Sequence, residues 1–205
     1  SNGSNISTWS DKSGSGNDVS QETTDNQPDY DTTGLNSKPS ILFTGSEYLR
    51  DESGSSSFVF DGTADYSIFV VIKSNDLTTD QRILARWGSG NGQYALSTLS
   101  SSKIHFYRNV SPWGMVHNTI INTSNAYYIS YTYDSTNING YINGIGQSAT
   151  YGAVATSSYK LTLGARSDLV EHFKGYISEV LFYNKALNST EINEVEVYLS
   201  NKWGI

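Results

Sequence analysis

The sequence contains no cysteine, one methionine and three prolines among its 205 residues. The absence of cysteine excludes disulfide bonds, thiolate metal sites and cysteine nucleophiles, so the fold must depend on burial and hydrogen bonding. No run of about 18 apolar residues and no charged-then-apolar leader occurs, so we expect neither membrane insertion nor a signal peptide. Because the chain starts at Ser1 without an initiator methionine, we expect it to come from a longer parent protein.

Charged residues are also scarce, at 16%, and the acidic ones prevail, with a net charge of -7. Phosphate-backbone binding rests on Lys and Arg displacing counterions, so nucleic acid is a poor candidate partner, as is an anionic membrane surface. Hydrophobic residues make up 37%, and most of the polarity comes from Ser, Thr, Asn and Gly. This composition is typical of one domain, residues 1–205, built from many short strands and turns.

Strand-length runs of β-branched and aromatic residues dominate the chain after an irregular lead-in, residues 1–40, which we expect Ile6 and Trp9 to anchor. Strand alternation places the odd-numbered residues of 127–133 towards a core and the even-numbered ones towards a wetter face. Asn143-Gly144 favours a tight hairpin turn, and residues 176–183 are apolar on both faces, as in a central strand. Residues 41–43 begin the strand-rich body. The other predicted strands occupy residues 66–73, 82–87, 94–99, 103–110, 138–142 and 160–163.

One helix is predicted, over residues 188–203. Asn188 can cap it, Glu191 can complete a capping box, and Gly204 can end it. Its apolar stripe predicts a lid on a sheet, and consists of Ile192, Val195, Leu199 and Trp203. A strand-rich body followed by one helix predicts an all-β sandwich with a single C-terminal helix.

Motifs at both ends of the chain resemble the laminin-G-like jelly-roll family of the concanavalin A-like superfamily. The opening motif is residues 9–18, Trp-Ser-Asp-Lys-Ser-Gly-Ser-Gly-Asn-Asp, and the closing one is residues 173–180, Phe-Lys-Gly-Tyr-Ile-Ser-Glu-Val. Between and around them lie Gln21, Gln27-Pro28, Lys38-Pro39, Phe43-Thr44-Gly45, Tyr141-Ile142-Asn143-Gly144, Leu163-Gly164, Tyr183-Asn184, Ala186-Leu187, Glu191-Ile192 and Lys202-Trp203-Gly204. The resemblance covers nearly the whole chain.

This resemblance implies a jelly-roll sandwich of two antiparallel sheets. Members of the family are mostly carbohydrate-binding or adhesion modules of phage virion proteins and secreted bacterial proteins, and many relatives in the superfamily bind calcium. Ser178 departs from the family, which often has Asp there, and related sandwiches use an acid at that place for a structural cation. The departure argues against calcium at Ser178.

The sequence carries no motif of an enzyme. Related glycoside hydrolases place paired carboxylates on one strand face, commonly as Glu-x-Asp-x-x-Glu, and this pattern is absent. Glu194 and Glu196 fall on the predicted helix, where residues two apart point in different directions. No nucleophile elbow, phosphate-binding loop or zinc-protease motif occurs, and the three histidines, at 105, 117 and 172, lack ligand spacing.

Two segments combine aromatic rings with amides, as sugar sites do. Strand alternation in 103–110 exposes three side chains of the first segment, and the loop that follows can place a tryptophan beside them. The second segment is a hairpin that can reach the same rim. The alternative for both segments is packing against a core. The candidates are His105, Tyr107, Asn109 and Trp113 in the first segment and Trp87, Asn91 and Tyr94 in the second.

Two acidic loops are candidate calcium sites. Asp11 and Asp18 border a loop rich in side-chain oxygens, although it lacks the terminal bidentate Glu of helix-flanked calcium loops. The alternative is a loop that satisfies its own backbone. Asp168 and Glu171 lie in the loop 164–173, where laminin-G relatives carry rim cations, and the alternative there is a charged surface loop.

These observations favour a non-catalytic carbohydrate-binding or host-attachment module that works on a virion surface or as part of a secreted protein. Its partner would be a glycan or a surface protein, with no certain cofactor beyond the calcium considered above. A structural virion-decoration or protein-interaction domain is the alternative, and self-association through the parent protein stays open. A glycoside hydrolase is the least favoured reading, and would need two carboxylates in a cleft.

Overall fold

The computed structural model describes residues 3–89, 91–111, 113–154 and 157–205. In these residues the chain forms two antiparallel sheets and one α-helix. The strands of the described part are β1 Ser4–Asn5, β2 Thr8–Trp9, β3 Val19–Ser20, β4 Asp29–Leu35, β5 Lys38–Thr44, β6 Leu49–Arg50, β7 Tyr66–Ser74, β8 Gln81–Gly88, β9 Asn91–Thr98, β10 Ile104–Arg108, β11 Met115–Val116, β12 Tyr127–Tyr133, β13 Asn137–Ile142, β14 Ile145–Thr150, β15 Thr162–Leu163 and β16 Lys174–Tyr183. Short 3-10 helices occupy Thr24–Asn26 and Ser56–Phe58, and helix α1 occupies Ser189–Trp203.

Sheet A has the strand order β1-β4-β5-β16-β7-β12-β13-β14, and sheet B has the order β11-β10-β9-β8-β15-β6-β3-β2. The inner faces of both sheets contribute to one apolar core, and the alternation within β7 shows why. Tyr66, Ile68, Val70 and Ile72 point into that core, whereas Phe69 and Val71 join a second cluster on the other face. The expected sandwich of two antiparallel sheets is therefore confirmed.

Helix α1 covers the outer face of sheet A, as its apolar stripe predicted. Leu199 and Trp203 pack with Phe69 and Val71 of β7. The Asn188 side chain accepts hydrogen bonds from the N–H groups of Thr190 and Glu191. The Glu191 carboxylate accepts one from the N–H of Asn188, so the capping box is present. Gly204 ends the helix at a φ of 68°.

The even-numbered face of β12 is dry, contrary to expectation. Ser130 and Thr132 are buried because α1 lies over this face. Ser130 donates a 2.5 Å hydrogen bond to Glu196 of the helix, which is itself buried. A sequence alternation of this kind shows which face is polar, and it does not show what covers that face.

The first forty residues are more regular than expected. They contain β4 and the start of β5, which pair with each other, as well as the three short strands β1, β2 and β3, of which β1 and β2 lie at sheet edges. Ladder hydrogen bonds join backbone groups, so the polar sequence of β4 did not prevent pairing. The irregular character expected for this region is confined to the connections, such as residues 10–18.

A buried arginine links the two sheets. Arg108 of β10 donates to the carbonyl oxygens of Gly152 (3.1 Å) and Gly62 (2.8 Å) and to the hydroxyl of Tyr66 (3.4 Å). Its Cζ lies 3.4 Å from the ring centroid of Tyr133. Tyr66 and Tyr133 belong to sheet A, so the guanidinium of a sheet B residue is held by the opposite sheet.

We expect Arg108→Met to lower the free energy of unfolding by about 3 to 5 kcal/mol, because it removes three buried charge-assisted hydrogen bonds. The Gly62 and Gly152 carbonyls keep bonds from the Val154 N–H and the Tyr133 hydroxyl, whereas the Tyr66 hydroxyl loses the donor that Arg108 supplies. Urea unfolding followed by tryptophan fluorescence measures this. Lys185→Met is the control, since its exposed ion pair with Glu191 should contribute less than about 1 kcal/mol. Equal losses in the two variants would show that Arg108 has no special role.

Burial raises the pKa of Glu196, although the bond from Ser130 opposes the rise. A raised pKa in the folded state means that stability is greatest below the ordinary glutamate pKa and declines as the pH rises through the folded value. Glu196→Gln should therefore be more stable than the wild type at pH 8, by on the order of 1 kcal/mol, with the gain shrinking under acid conditions. Thermal melts from pH 4 to about pH 8 test this, with Glu194→Gln, the same substitution at an exposed position of the same helix, as the control. A gain that grows towards acid pH would contradict it.

The candidate binding face

The outer face of sheet B carries most of the predicted binding residues. The strand register aligns Arg82, Ser97 and His105 in one row across β8, β9 and β10. The next row contains Ala85, Ala95 and Tyr107. Directly paired residues of neighbouring strands point to the same face, so these six side chains share one surface. We call this surface the aromatic face, together with Trp87, Asn109 and Trp113 beside it.

Aromatic rings cover the two alanines. The ring centroids of Trp87 and Tyr107 lie 4.4 Å apart, and that of His105 lies 5.6 Å from Tyr107 in an edge-on arrangement. Ala85 and Ala95 are completely buried beneath this group because their small side chains leave room for the rings. Trp87 is therefore half-buried on an outer face, which is neither the core position nor the free rim position weighed from the sequence.

Trp113 is the most exposed aromatic residue of the face, with 54% of its surface accessible. Its backbone has a φ of 70°, in the left-handed region that residues with a side chain rarely adopt. Two hydrogen bonds hold the loop, from the Trp113 N–H to the Val110 carbonyl (2.6 Å) and from the His105 Nε2–H to the Trp113 carbonyl (2.9 Å). Burial lowers the pKa of His105, although the bond to the Trp113 carbonyl opposes this effect.

Two arginines complete the aromatic face. The Cζ atoms of Arg82 and Arg166 lie 5.2 Å and 5.0 Å from the Trp87 ring. Sequence reasoning missed both residues. The signal for Arg82 was its position in a predicted strand with a largely apolar middle, residues 82–87, since an arginine there must find partners when the strand is buried.

Arg166 and Arg82 engage the two acidic residues that the sequence suggested as calcium ligands. Arg166 holds Asp168 through two bonds, Nε to Oδ1 (2.5 Å) and Nη2 to Oδ2 (2.9 Å). Glu171 contacts both arginines, with Oε1 3.0 Å from Arg166 Nη1 and Oε2 2.8 Å from Arg82 Nη2. Burial alone would raise the pKa of Asp168, but the bonds from Arg166 and the Ser89 N–H lower it.

The other calcium candidates form a self-contained loop. The Asp11 carboxylate accepts hydrogen bonds from the Ser13 N–H (2.8 Å), the Ser13 hydroxyl (2.8 Å) and the Asn17 N–H (3.1 Å), and the Ser13 N–H is the main cause of its lowered pKa. Asp18 accepts the Asp11 N–H. Within the described ranges, no group of three or more His, Cys, Asp or Glu side chains is arranged to hold a metal ion.

Two of the predicted residues do not join the aromatic face. Tyr94 is completely buried in the core between the sheets, where its hydroxyl donates to the Phe58 carbonyl at 3.1 Å. The expectation that it lies on the rim is wrong, because the alternation of β9 sends Tyr94 inwards when Ala95 faces outwards. The side chain of Asn91 lies outside the described residues.

A crevice of about 590 Å³ lies elsewhere, and the sequence did not predict it. Its lining includes Trp9, Phe58, Leu163 and Phe182. It follows the part of β16 beyond Ile177, where β16 still pairs with β7 but its pairing with β5 has ended. A register shift between Ile177 and Glu179 marks the point of separation.

The family model of the concanavalin A-like lectin/glucanases superfamily, laminin-G type, matches residues 44–193, well over half of the chain. The chain belongs to this family. A search of curated proteins by sequence returns no significant match. Among the described residues, no helix is long and apolar enough to span a membrane.

Solved structures agree on the fold. Domain 4 of AbnA, an extracellular GH43 arabinanase from Geobacillus stearothermophilus in complex with arabinotriose, has a TM-score of 0.69 at 18% identity, with 96% of this chain and 100% of that domain covered. The binding domain of Paraclostridial Mosquitocidal Protein 1 has a TM-score of 0.68 at 15% identity, covering 98% and 52%. A GH54 α-L-arabinofuranosidase has a TM-score of 0.69 at 12% identity, covering 97% and 51%. This chain thus spans the whole arabinanase domain and about half of the other two proteins.

We expect the melting temperature to be the same in millimolar calcium and in excess chelator. The acidic candidates already accept hydrogen bonds or ion pairs, so calcium would have to displace them, and bound calcium would raise the melting temperature by mass action. Paired thermal melts measure this. A clear rise with calcium that magnesium does not reproduce would show that one of these loops is a calcium site after all.

Proposed function

We propose that this domain is a non-catalytic carbohydrate-binding module, carried by a secreted or virion-surface protein, and that the aromatic face binds the glycan. The single observation that carries the proposal is the exposed side chain of Trp113, whose backbone has a left-handed conformation and whose carbonyl is hydrogen-bonded by His105. Strain of this kind persists only where the surroundings impose it, and it clusters at ligand sites. Sugar rings bind to aromatic faces, and nearby amides satisfy their hydroxyls.

Polar groups beside Trp113 suit such a ligand. Asn109 lies half-buried and accepts the Tyr107 hydroxyl at 3.2 Å, which orients its amide and leaves the amide N–H groups for a sugar hydroxyl. Trp87 contributes less to stacking, because Tyr107 and two arginines already contact its ring. The same fold in an arabinanase domain whose structure contains arabinotriose supports the proposal.

The engaged carboxylates support binding without catalysis. A glycoside hydrolase needs one carboxylate as nucleophile or base and another as a proton donor. Asp168 and Glu171 lie at the aromatic face, and arginines pair with both of them. The bonds from Arg166 lower the pKa of Asp168 against the effect of burial, which makes this carboxylate a poor proton donor at neutral pH.

A protein-interaction domain is the second candidate, favoured by exposed apolar side chains on the edge strand β11, which pairs with β10 of the aromatic face, and in the segments next to it. Ile145 and Ile120 are 59% and 60% accessible, and Val116 lies at the edge of sheet B. Gln147 of β14 donates to the Val116 carbonyl and accepts the Asn118 N–H, which brings these segments together. Sedimentation that shows dimers at micromolar concentration, lost in Ile145→Ser, would favour this candidate.

A glycan array probed with the wild type and Trp113→Ala tests the proposed function. We expect a hit whose affinity falls about five- to thirtyfold in the variant, since loss of one stacking ring removes roughly 1 to 2 kcal/mol. Tyr198→Ala is the control, because Tyr198 is an exposed aromatic residue on α1, which covers the opposite sheet. Equal affinity in the wild type and Trp113→Ala would remove the aromatic face from the proposal.

A further inference from the structure

Arg82 is a buried cation with unused donors. Only 7% of the residue is accessible, and its Nε and Nη1 atoms are buried without a hydrogen-bond partner among the described residues. Ser97, the cross-strand neighbour of Arg82, also has a buried hydroxyl without a partner. Buried donors of a charged group are seldom left unmade, because desolvation without a replacement bond is costly. Arg82 and Ser97 can therefore donate hydrogen bonds to a further acceptor.

The present partner of Arg82 satisfies the guanidinium incompletely. Glu171 reaches it through one atom pair, Oε2 to Nη2, and shares its other oxygen with Arg166. A guanidinium binds a carboxylate best through two parallel N–H bonds. Either parallel pair in Arg82 includes Nη2, combined with Nε or with Nη1. A carboxylate that binds in this way must take the place of Glu171 at Nη2.

Glu171 is placed to be exchanged. It stays partly accessible, with 31% of its side chain exposed, and lies in a loop in which Leu169 and Glu171 both have left-handed backbone angles, 63° and 54°. After release from Arg82, Glu171 would keep its 3.0 Å contact with Arg166. The exchange thus leaves no buried carboxylate without a cation.

We propose that Arg82 is the specificity residue of the aromatic face and selects sugars that bear a carboxylate, such as uronic acids, with Glu171 occupying the carboxylate position until the ligand arrives. This inference rests on the proposed function, because the sugar ring would lie against Tyr107, His105 and Trp113. Ser97 would donate to the same carboxylate from the neighbouring strand. An acidic sugar fits better than a neutral one because it supplies the charge that balances Arg82 when Glu171 leaves.

Isothermal titration with two matched probes tests this inference. The probes are oligomers of galacturonic acid and the same oligomers with methyl-esterified carboxylates, and neutral arabino-oligosaccharides provide a third titration. We expect the wild type to bind the free acid about tenfold or more tightly than the ester, as for a charge-assisted pair. The preference should weaken with rising salt.

Two variants separate the roles of the residues. Arg82→Gln should remove the preference for the acid, whereas Lys185→Gln, which makes the same charge change on the other side of the domain, should not. Glu171→Gln should bind the acid several-fold more tightly than the wild type, because the internal competitor has lost its charge. If Arg82→Gln fails to fold, the Glu171→Gln result still decides, since a purely structural ion pair gives no reason for tighter binding.

The outcomes distinguish this inference from the proposed function. Binding of neutral arabino-oligosaccharides that depends on Trp113, with no preference for the acid over its ester, would overturn the inference and leave the proposed function standing. No binding of any of the three probes, together with a blank glycan array, would overturn both. Acid binding that Glu171→Gln weakens would also overturn the role proposed for Glu171.

Discussion

The guanidinium of Arg108, buried between the two sheets, is the constraint on which the rest of this structure depends. A charge removed from water must find partners. Here the described residues supply two carbonyl oxygens, the Tyr66 hydroxyl and the ring of Tyr133 in place of a carboxylate. The Tyr66 hydroxyl donates a hydrogen bond to the Tyr131 hydroxyl, which in turn donates to the Tyr107 carbonyl in sheet B. These bonds have direction, so they align the sheets in a way that apolar packing alone does not. In a chain without cysteine, they perform the cross-linking role of a disulfide.

The outer faces of the sheets are covered in different ways, and this difference explains where the candidate site lies. Sheet A is closed by α1, whose Leu199 and Trp203 bury its apolar residues. Sheet B has no helix over it in the described residues, and its own Trp87 and Tyr107 cover the alanines of the middle strands. Only a face covered by its own side chains can present aromatic rings and arginines to a ligand. The site therefore follows from the position of the single helix.

The sequence predicted the elements of the fold well, because strand alternation, hairpin turns and helix caps are local signals. The helix over 188–203 and the strand over 127–133 agree with α1 and β12. Longer-range features were less predictable. Tyr94 and Ala95 alternate in the same way whichever one faces the core, and the strand pattern alone could not decide between them. The polar strand β4 lacks an apolar pattern because backbone pairing holds most of it in place, with Leu35 as its buried side chain.

The candidate site was predicted in its aromatic part and missed in its charged part. His105, Tyr107 and Trp113 lie close in sequence, so alternation and one loop were enough to bring them together. The contacts of Arg82 with Glu171 and of Trp87 with Arg166 join segments about 80 to 90 residues apart, and no local pattern reports such pairs. From the sequence, Asp168 and Glu171 were therefore interpreted as calcium ligands, whereas in the structure they form ion pairs with arginines.

The separation of β16 from β5 after Ile177 divides sheet A into a wing of β1, β4 and β5 and a larger remainder. The ladder between them spans residues 174–177 of β16, whereas the ladder of β16 with β7 continues to Tyr183. Asn36, at the turn of the wing, holds the end of α1 by donating to the Trp203 carbonyl at 2.7 Å. Ile41 and Phe43 of β5 still reach the core that both parts share, so burial holds the wing as well as its ladder. A unit attached through a short ladder opens at a lower free energy than the whole domain, so we expect the amide hydrogens of the wing to exchange with solvent before those of β7 and β12.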